Sequence, residues 1–447
     1  MKTTAKPVSL LAPGSLSRAL DGAAAAVGAV RSGTSLPLAL SRLKLPRDDA
    51  ATAEQTRGAV QDLSYQALRS LGRSDALIAL LTHKPPPAHV ANLLACALPL
   101  LADTSENARY APFTVVDQTV RATAADAEAA FAKGMVNAVL RRYLREKAAL
   151  DQAAEKTPEG KWNYPAWWVE RVRSAWPQDW SRILDEGNAR PPLTLRVNQR
   201  RIALDAYGAM LTTASIEFMS AGASAITLAQ PLPVARIPGF LDGLVSVQDA
   251  GAQRAAALLD VHDGMRVLDA CAAPGGKTGH LLELADAEVV ALDSDAGRVT
   301  RIQENLTRLG LQARIVVGDA AQPATWWDGK PFDRLLADVP CSASGIVRRH
   351  PDIRWLRRPS DIAALVAEQR RIVSALWPLL ASGGQMLYVT CSIFPEEGEQ
   401  QAQWFERATA DAVRLDAPGQ LLPAIDADRP GGRAGHDGFF YARFLKR

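Results

Sequence analysis

The chain has few cysteines, no long apolar run and almost no net charge, and each lack narrows what it can be. Its four cysteines are Cys96, Cys271, Cys341 and Cys391 in 447 residues, with no C-x-x-C pair. A disulfide scaffold is excluded, a structural zinc is disfavoured, and sparse thiols suit a reducing compartment. The longest nearly apolar stretch, Ala91 to Ala102, contains Asn92; a membrane span needs roughly 18 or more such residues. Residues 1–22 carry Lys2 and Lys6 but lack the apolar core of a signal peptide. The reading is therefore a cytoplasmic protein with no membrane and no metal. Net charge is only +3, from 51 basic and 48 acidic residues. Its distribution is uneven: residues 1–165 hold 20 Lys/Arg against 15 Asp/Glu, and Arg348 to Arg358 holds five arginines and one aspartate. Such local excess can neutralise phosphates or simply face solvent.

Hydrophobic residues make up 48% and charged residues 22%, the balance of a globular protein long enough for several cores. Residues 1–20 read as a tail and 21–150 as an all-α domain. Within it, Val60, Leu63, Ala67, Leu68 and Leu71 recur at three- and four-residue intervals. Residues 151–240 read as a polar connection and a small α+β domain, with strands Thr194 to Val197 and Ala225 to Ala229 around a helix, Leu204 to Thr213. The connection carries Trp162, Trp167, Trp168, Trp176 and Trp180. Packing at a domain junction is one reading of that cluster, and stacking on unpaired bases the other.

Residues 241–447 alternate strand and helix. Strands are expected at Arg266 to Asp269, Glu288 to Asp293, Ala313 to Val317, Phe332 to Ala337, Gln385 to Thr390 and Phe439 to Leu445. Helices are expected at Lys277 to Leu284, Ala296 to Leu309 and Asp361 to Leu380. This order implies an α/β, doubly wound, mainly parallel sheet whose ligand crevice lies at the carboxyl ends of its strands.

The motifs fall at those ends. After the first strand comes Cys271, Ala272, Ala273, Pro274, Gly275, Gly276, Lys277 and Thr278, a small-residue loop opening a helix. Glycines there let a ligand approach the backbone, and helix N-terminal amides can bind an anion. Gly-Lys-Thr suggests a P-loop, but that pattern needs a glycine where Cys271 stands, and the G-x-G-x-x-G fingerprint is absent. Asp293 lies 24 positions after Asp269, where an acid can take both ribose hydroxyls. Asp319 follows the next strand, suited to an adenine amino group, and Asp338 the one after. Three acids in successive register beside a glycine loop fit a nucleoside-bearing cofactor. Asp338-Val-Pro-Cys341 and Thr390-Cys391 each put a thiol just past a strand. Two thiols at neighbouring strand ends, one with an acid three residues away, suggest nucleophilic chemistry. Spacing leaves open which of them attacks. Cys96 reads as an inert core residue.

Here the sequence resembles the bacterial 16S rRNA cytosine-C5 methyltransferases of the Sun/Fmu (RsmB) type, which carry a NusB-like N-terminal domain. The likeness rests on residues 269–278 (DACAAPGGKT), 338–342 (DVPCS), 348–355 (RRHPDIRW), 388–392 (YVTCS) and 437–440 (DGFF), and on 133–141 (KGMVNAVLR) in the helical part. It covers nearly all the chain beyond the first twenty residues. Its departures are Met135 for Phe, Ala343-Ser344 for a Gly-Thr-like pair, and Gly398 for Asn. The resemblance implies a Rossmann-like domain holding S-adenosyl-L-methionine through residues 271–277, Asp293, Asp319 and Asp338. It implies Cys391 as nucleophile, Cys341 assisting product release, and 16S rRNA, naked or in an early assembly intermediate, as the partner of a monomer. Arg348, Arg349 and Arg354 directly follow the Cys341 loop, so they are expected to line the RNA path. A P-loop NTPase and a non-catalytic RNA-binding assembly factor stand as alternatives; Cys271 argues against the first and the intact thiol pair against the second.

Overall fold

The computed structural model describes residues 11–43, 49–105, 108–424 and 435–447. They form two compact units, one of residues up to Asn188 joined by Val347–Arg357, the other of Ala189–Ile346 and Arg358–Arg447.

The first unit is helical. Its opening helix, Leu16–Arg31, begins inside the stretch expected to be a tail, because Ser15 caps it by accepting from the Arg18 amide. Leu20, Ala23, Ala24 and Val27 recur at helical spacing and are fully buried in the core. Against them pack Ala50–Arg69, Ala88–Ala102 and Pro112–Ala125. Cys96 sits in that core, where burial pushes its thiol up to about 12. Helical structure does not stop near residue 150. It continues through Ala166–Ala175 and Trp180–Asn188, so the tryptophan-rich stretch belongs to this unit. Trp168 is fully buried, and the Trp162 and Trp180 rings meet edge to face at 4.9 Å. No described helix is long and apolar enough to cross a membrane.

The second unit opens with a four-stranded antiparallel sheet in the order β2-β3-β1-β4. Its strands are β1 (Leu193–Val197), β2 (Phe218–Ser220), β3 (Ala225–Leu228) and β4 (Val245–Val247). The pairing of β4 with β1 carries this sheet past residue 240. Arg196 on β1 ties the small sheet to the helix Gly276–Leu284 of the larger α/β layer. Its buried guanidinium makes a two-pronged bond to Glu283 at 2.7 and 2.8 Å and donates to the Gly276 carbonyl at 2.7 Å.

The larger sheet has seven strands in the order β10-β11-β9-β8-β5-β6-β7. They are β5 (Arg266–Ala270), β6 (Glu288–Asp293), β7 (Arg314–Val317), β8 (Phe332–Asp338), β9 (Leu380–Thr390), β10 (Ala412–Leu421) and β11 (Phe439–Lys446). β5 to β9 run parallel, and β11 is antiparallel to both its neighbours. The fold is thus the expected Rossmann-like α/β sheet with an all-α N-terminal region. Two details differ from the sequence reading. The long helix ends at Leu376 and β9 starts at Leu380, because Pro378 interrupts the helix. The half-buried edge strand β10, which contains Pro418 and Gly419, has no counterpart among the expected strands. The chain reverses its strand order beside β5, the position at which a parallel sheet opens its crevice.

Candidate active site

The loop after β5 is held from below by acids. Asp269 is wholly buried and accepts the Thr278 hydroxyl at 2.5 Å. Burial pushes its carboxyl up to about 7, with the charges of Asp338 and Asp293 adding to the effect and the Thr278 bond opposing it. Asp293, at the end of β6, accepts the Ala273 amide at 3.0 Å and the Asp295 amide at 3.1 Å. Gly275 has φ +90°, and a Cβ there would lie 3.1 Å from Ile302, so only glycine makes this turn without strain. The helix Gly276–Leu284 starts at once. Past β7, Asp319 accepts the Ala321 amide at 2.9 Å and pairs with Arg371 at 3.1 Å.

A crevice runs across these strand ends, lined by Pro340, Cys271, Asp293, Ser294, Gly318 and Asp319. Its lining sets the Asp293 and Asp319 carboxylates beside small residues, and carboxylates can accept from the hydroxyl and amino groups of a nucleoside. The Asp269 Oδ1 atom is buried with no hydrogen-bond partner. On the crevice wall itself, the Asp293 and Asp319 carboxylates offer acceptor lone pairs to the hydroxyl and amino donors of a bound molecule, so the residues present fit S-adenosyl-L-methionine.

The thiol side lies at the ends of β8 and β9. Cys341 Sγ is 3.4 Å from Cys391 Sγ. The hydrogen bond to Cys391, then burial, then the charges of Cys391 and Glu397 hold the Cys341 thiol well above the ordinary thiol range. Lys277 Nζ donates to Asp338 Oδ2 at 2.6 Å. Burial works against the lysine charge, yet Asp338 and the nearby Cys391 sulfur raise Lys277 above the usual lysine value. The fold therefore brings Cys341, Cys391, Asp338 and Lys277 together, and Cys271, Asp293 and Asp319 along one crevice. The closing motif at 437–440 also finds its reason. Gly438 donates to the Gly345 carbonyl at 2.9 Å, and a Cβ on Gly345 would fall 2.2 Å from the Gly438 carbonyl oxygen.

The arginine expectation needs correction. Arg354 is wholly buried in the helical unit, its guanidinium 3.8 Å from the Tyr164 ring centroid. It donates to the Gly187 carbonyl at 2.6 Å, to the Asn163 carbonyl at 3.2 Å and to the Asn188 side chain. Arg348 is also buried, and its carbonyl accepts from Arg69 at 2.9 Å. The Arg354 cation at the carboxyl end of helix Trp180–Asn188 satisfies carbonyls the helix cannot, so it builds the helical unit, and neither it nor buried Arg348 presents its side chain to a surface that RNA could contact. Arg349 is half-buried and also has a partner.

Residues that the sequence reading gave no role are Glu397, Gln369, Ser342, Ser344 and Ser392, which form a buried polar cluster beneath both thiols. A signal was present in the doubled Cys-Ser step at 341–342 and 391–392.

The chain is similar to known proteins over most of its length. The 16S rRNA methyltransferase RsmB/F family pattern matches residues 256–445, and the ferredoxin-like domain of RsmF/B-like methyltransferases matches residues 164–235. The ribosomal RNA small subunit methyltransferase B of Pseudomonas syringae pv. tomato is 42% identical over 440 residues, covering 95% of this chain and 96% of the relative. The Klebsiella pneumoniae subsp. pneumoniae protein of that name is 40% identical over 409 residues, 90% of this chain and 93% of the relative. A crystal structure of a methyltransferase homolog protein from Pyrococcus horikoshii superposes with a TM-score of 0.55 at 27% identity, over 65% of this chain and 97% of the other. The chain belongs to the RsmB/F family of 16S rRNA methyltransferases.

Proposed function

We propose that this chain methylates C5 of a cytosine in 16S ribosomal RNA through a covalent bond between Cys391 and C6 of the ring. Methylation of small-subunit rRNA follows from the family, and the cofactor is S-adenosyl-L-methionine. The observation that carries the finer reading is the thiol pair, 3.4 Å apart at adjacent strand ends beside the Lys277–Asp338 ion pair.

When bound, S-adenosyl-L-methionine supplies an electrophilic sulfonium methyl group. The residues of this chain do the rest. Cytosine C5 is a poor nucleophile, so the Cys391 thiolate adds to C6, and electron density moves to C5 and toward N3. Asp338, held by Lys277, relays a proton of that ion pair through its carboxyl oxygen to N3, which offsets the developing ring charge, and the proton returns to the pair when the C6–S bond breaks. C5 takes the methyl group and then gives up its proton to water. The C5–C6 double bond re-forms, the C6–S bond breaks, and the electron pair returns to Cys391 sulfur. Cys341, 3.4 Å away, can pass its proton to the departing sulfur. Lys277 on the Cys391 side and Glu397 on the Cys341 side make the two thiols unlike, and that asymmetry supports Cys391 as the attacking group. The pairing of Lys277 with Asp338 speaks against a P-loop NTPase, whose lysine is reserved for phosphate.

In this proposal the helical region 21–150, NusB-like by resemblance, holds the RNA of a monomeric enzyme, and half-buried Arg349 stays a candidate contact. Bisulfite sequencing of 16S rRNA from cells with and without the protein tests the reading. One cytosine should become convertible when the protein is absent; no changed position would overturn it.

A further inference from the structure

We infer that Glu397 is a positioning residue: its buried carboxylate clamps the Ser342 turn to the Ser392 turn and so sets Cys341 against Cys391. Glu397 is fully buried and both its oxygens are occupied. Oε1 accepts the Ser342 amide at 2.8 Å and the Gln369 side chain at 3.1 Å. Oε2 accepts the Ser392 hydroxyl at 2.7 Å and the Ser342 hydroxyl. Ser342 directly follows Cys341, and Ser392 directly follows Cys391. One side chain therefore holds the residue next to each thiol.

Neighbouring bonds stiffen the arrangement. The same Gln369 nitrogen reaches the Pro340 carbonyl at 3.0 Å, on the other side of Cys341. Ser344 Oγ lies 2.9 Å from Ser392 Oγ and accepts the Ile393 amide at 2.9 Å. Tyr388 donates to the Glu397 carbonyl at 2.9 Å. A fully connected buried network fixes one geometry, whereas backbone alone would leave two loops from different strands free to drift. The carboxylate also places negative charge toward Cys341, which favours the protonated thiol there.

The inference rests on the thiol roles proposed above, so its test separates the two. Glu397→Gln keeps volume and one acceptor oxygen but sets an NH2 group against two hydroxyls and removes the charge. With RNA and S-adenosyl-L-methionine, this variant should release product between about 10- and 100-fold more slowly, the scale of a small misplacement of a reacting group. It should accumulate a protein–RNA adduct stable to denaturing electrophoresis, with cofactor affinity by calorimetry unchanged. A merely structural role would lower the active fraction while leaving the adduct-to-product ratio at the wild-type value. Ser392→Ala keeps Glu397 and its charge, deletes the Ser392 bond to it together with the Phe394 amide and Ser344 contacts of the same hydroxyl, and should shift the ratio the same way by less. It decides the matter if the glutamine variant does not fold. A wild-type ratio and release rate in the folded variants would overturn the role of Glu397. Absence of an adduct in Cys341→Ala would instead overturn the thiol roles themselves.

Discussion

The two halves of the crevice are held in opposite ways. At the ends of β5 to β7, each acid accepts backbone amides or a hydroxyl from its own or the adjacent loop: Asp293 from Ala273, Asp319 from Ala321, Asp269 from Thr278. At the ends of β8 and β9, a single carboxylate gathers two loops whose cysteines are 50 positions apart. The first half shapes a surface for a ligand, where losing one group weakens binding. The second sets the distance between two thiols that react in the proposed mechanism, where losing one group would change the chemistry.

The sharpest way to break this contrast is on the thiols. Cys391→Ala should abolish methylation, by about 10⁶-fold if removing this nucleophile costs what it does in other covalent enzymes, with fold and cofactor affinity intact. Cys341→Ala should attack, transfer methyl and then stall as a covalent RNA adduct that disappears in the double variant. The reverse pattern, with an adduct only in Cys391→Ala, would exchange the two roles.

Next in size is the buried acid of the ligand half. The Asp269 carboxyl titrates near 7 in the fold, against an ordinary 3.8 when unfolded. The folded state thus binds the extra proton between those values, and stability falls as pH rises through that window, by about 2–4 kcal/mol from this group. Asp269→Asn should flatten that part of the profile in chemical denaturation without cofactor. An unchanged slope would show that Asp269 stays ionised.

Arg354 sharpens the distinction between building and binding. Arg354→Met should destabilise the helical unit by about 3 kcal/mol, since several buried carbonyl acceptors lose their donor. Folded protein should keep the salt slope of RNA binding, which titrations across salt concentrations report. The smallest effect is expected at Asp293. Asp293→Ala should weaken S-adenosyl-L-methionine binding by about 1–3 kcal/mol in calorimetry, through lost charge-assisted bonds and a loosened Ala273 loop.

The same contrast separates the legible parts of the sequence from the rest. β5, β6 and β8 are short apolar runs carrying Asp269, Asp293 and Asp338 at or beside their ends, so strand, turn and acid can be read together. The thiol pair is readable as two strand ends, though its 3.4 Å separation is not. Glu397 stands in plain view six residues after Cys391, but its partners Ser342 and Gln369 come from other segments, and local pattern says nothing of them. The arginines mislead for a related reason. Five in a short run look like a phosphate-binding face, and only the fold shows Arg354 lying over Tyr164 with helix-end carbonyls around it. Charge in a sequence marks donors without saying who accepts.

The segment Val347–Arg357 belongs to the helical unit although it lies 159 positions downstream of Asn188, where the rest of that unit ends. It brings Arg354 to the Gly187 carbonyl, Trp355 to the Leu68 carbonyl at 2.8 Å, and Asp352 to the Leu36 amide at 2.9 Å. On the ribosome the helical unit must therefore wait, for about 8–30 s at ordinary elongation rates, before its last piece emerges. A fragment cut at Asn188 would leave those carbonyl and amide groups without their native partners. The N-terminal unit is thus a discontinuous domain, closed late in synthesis by chain that runs on from the Cys341 loop.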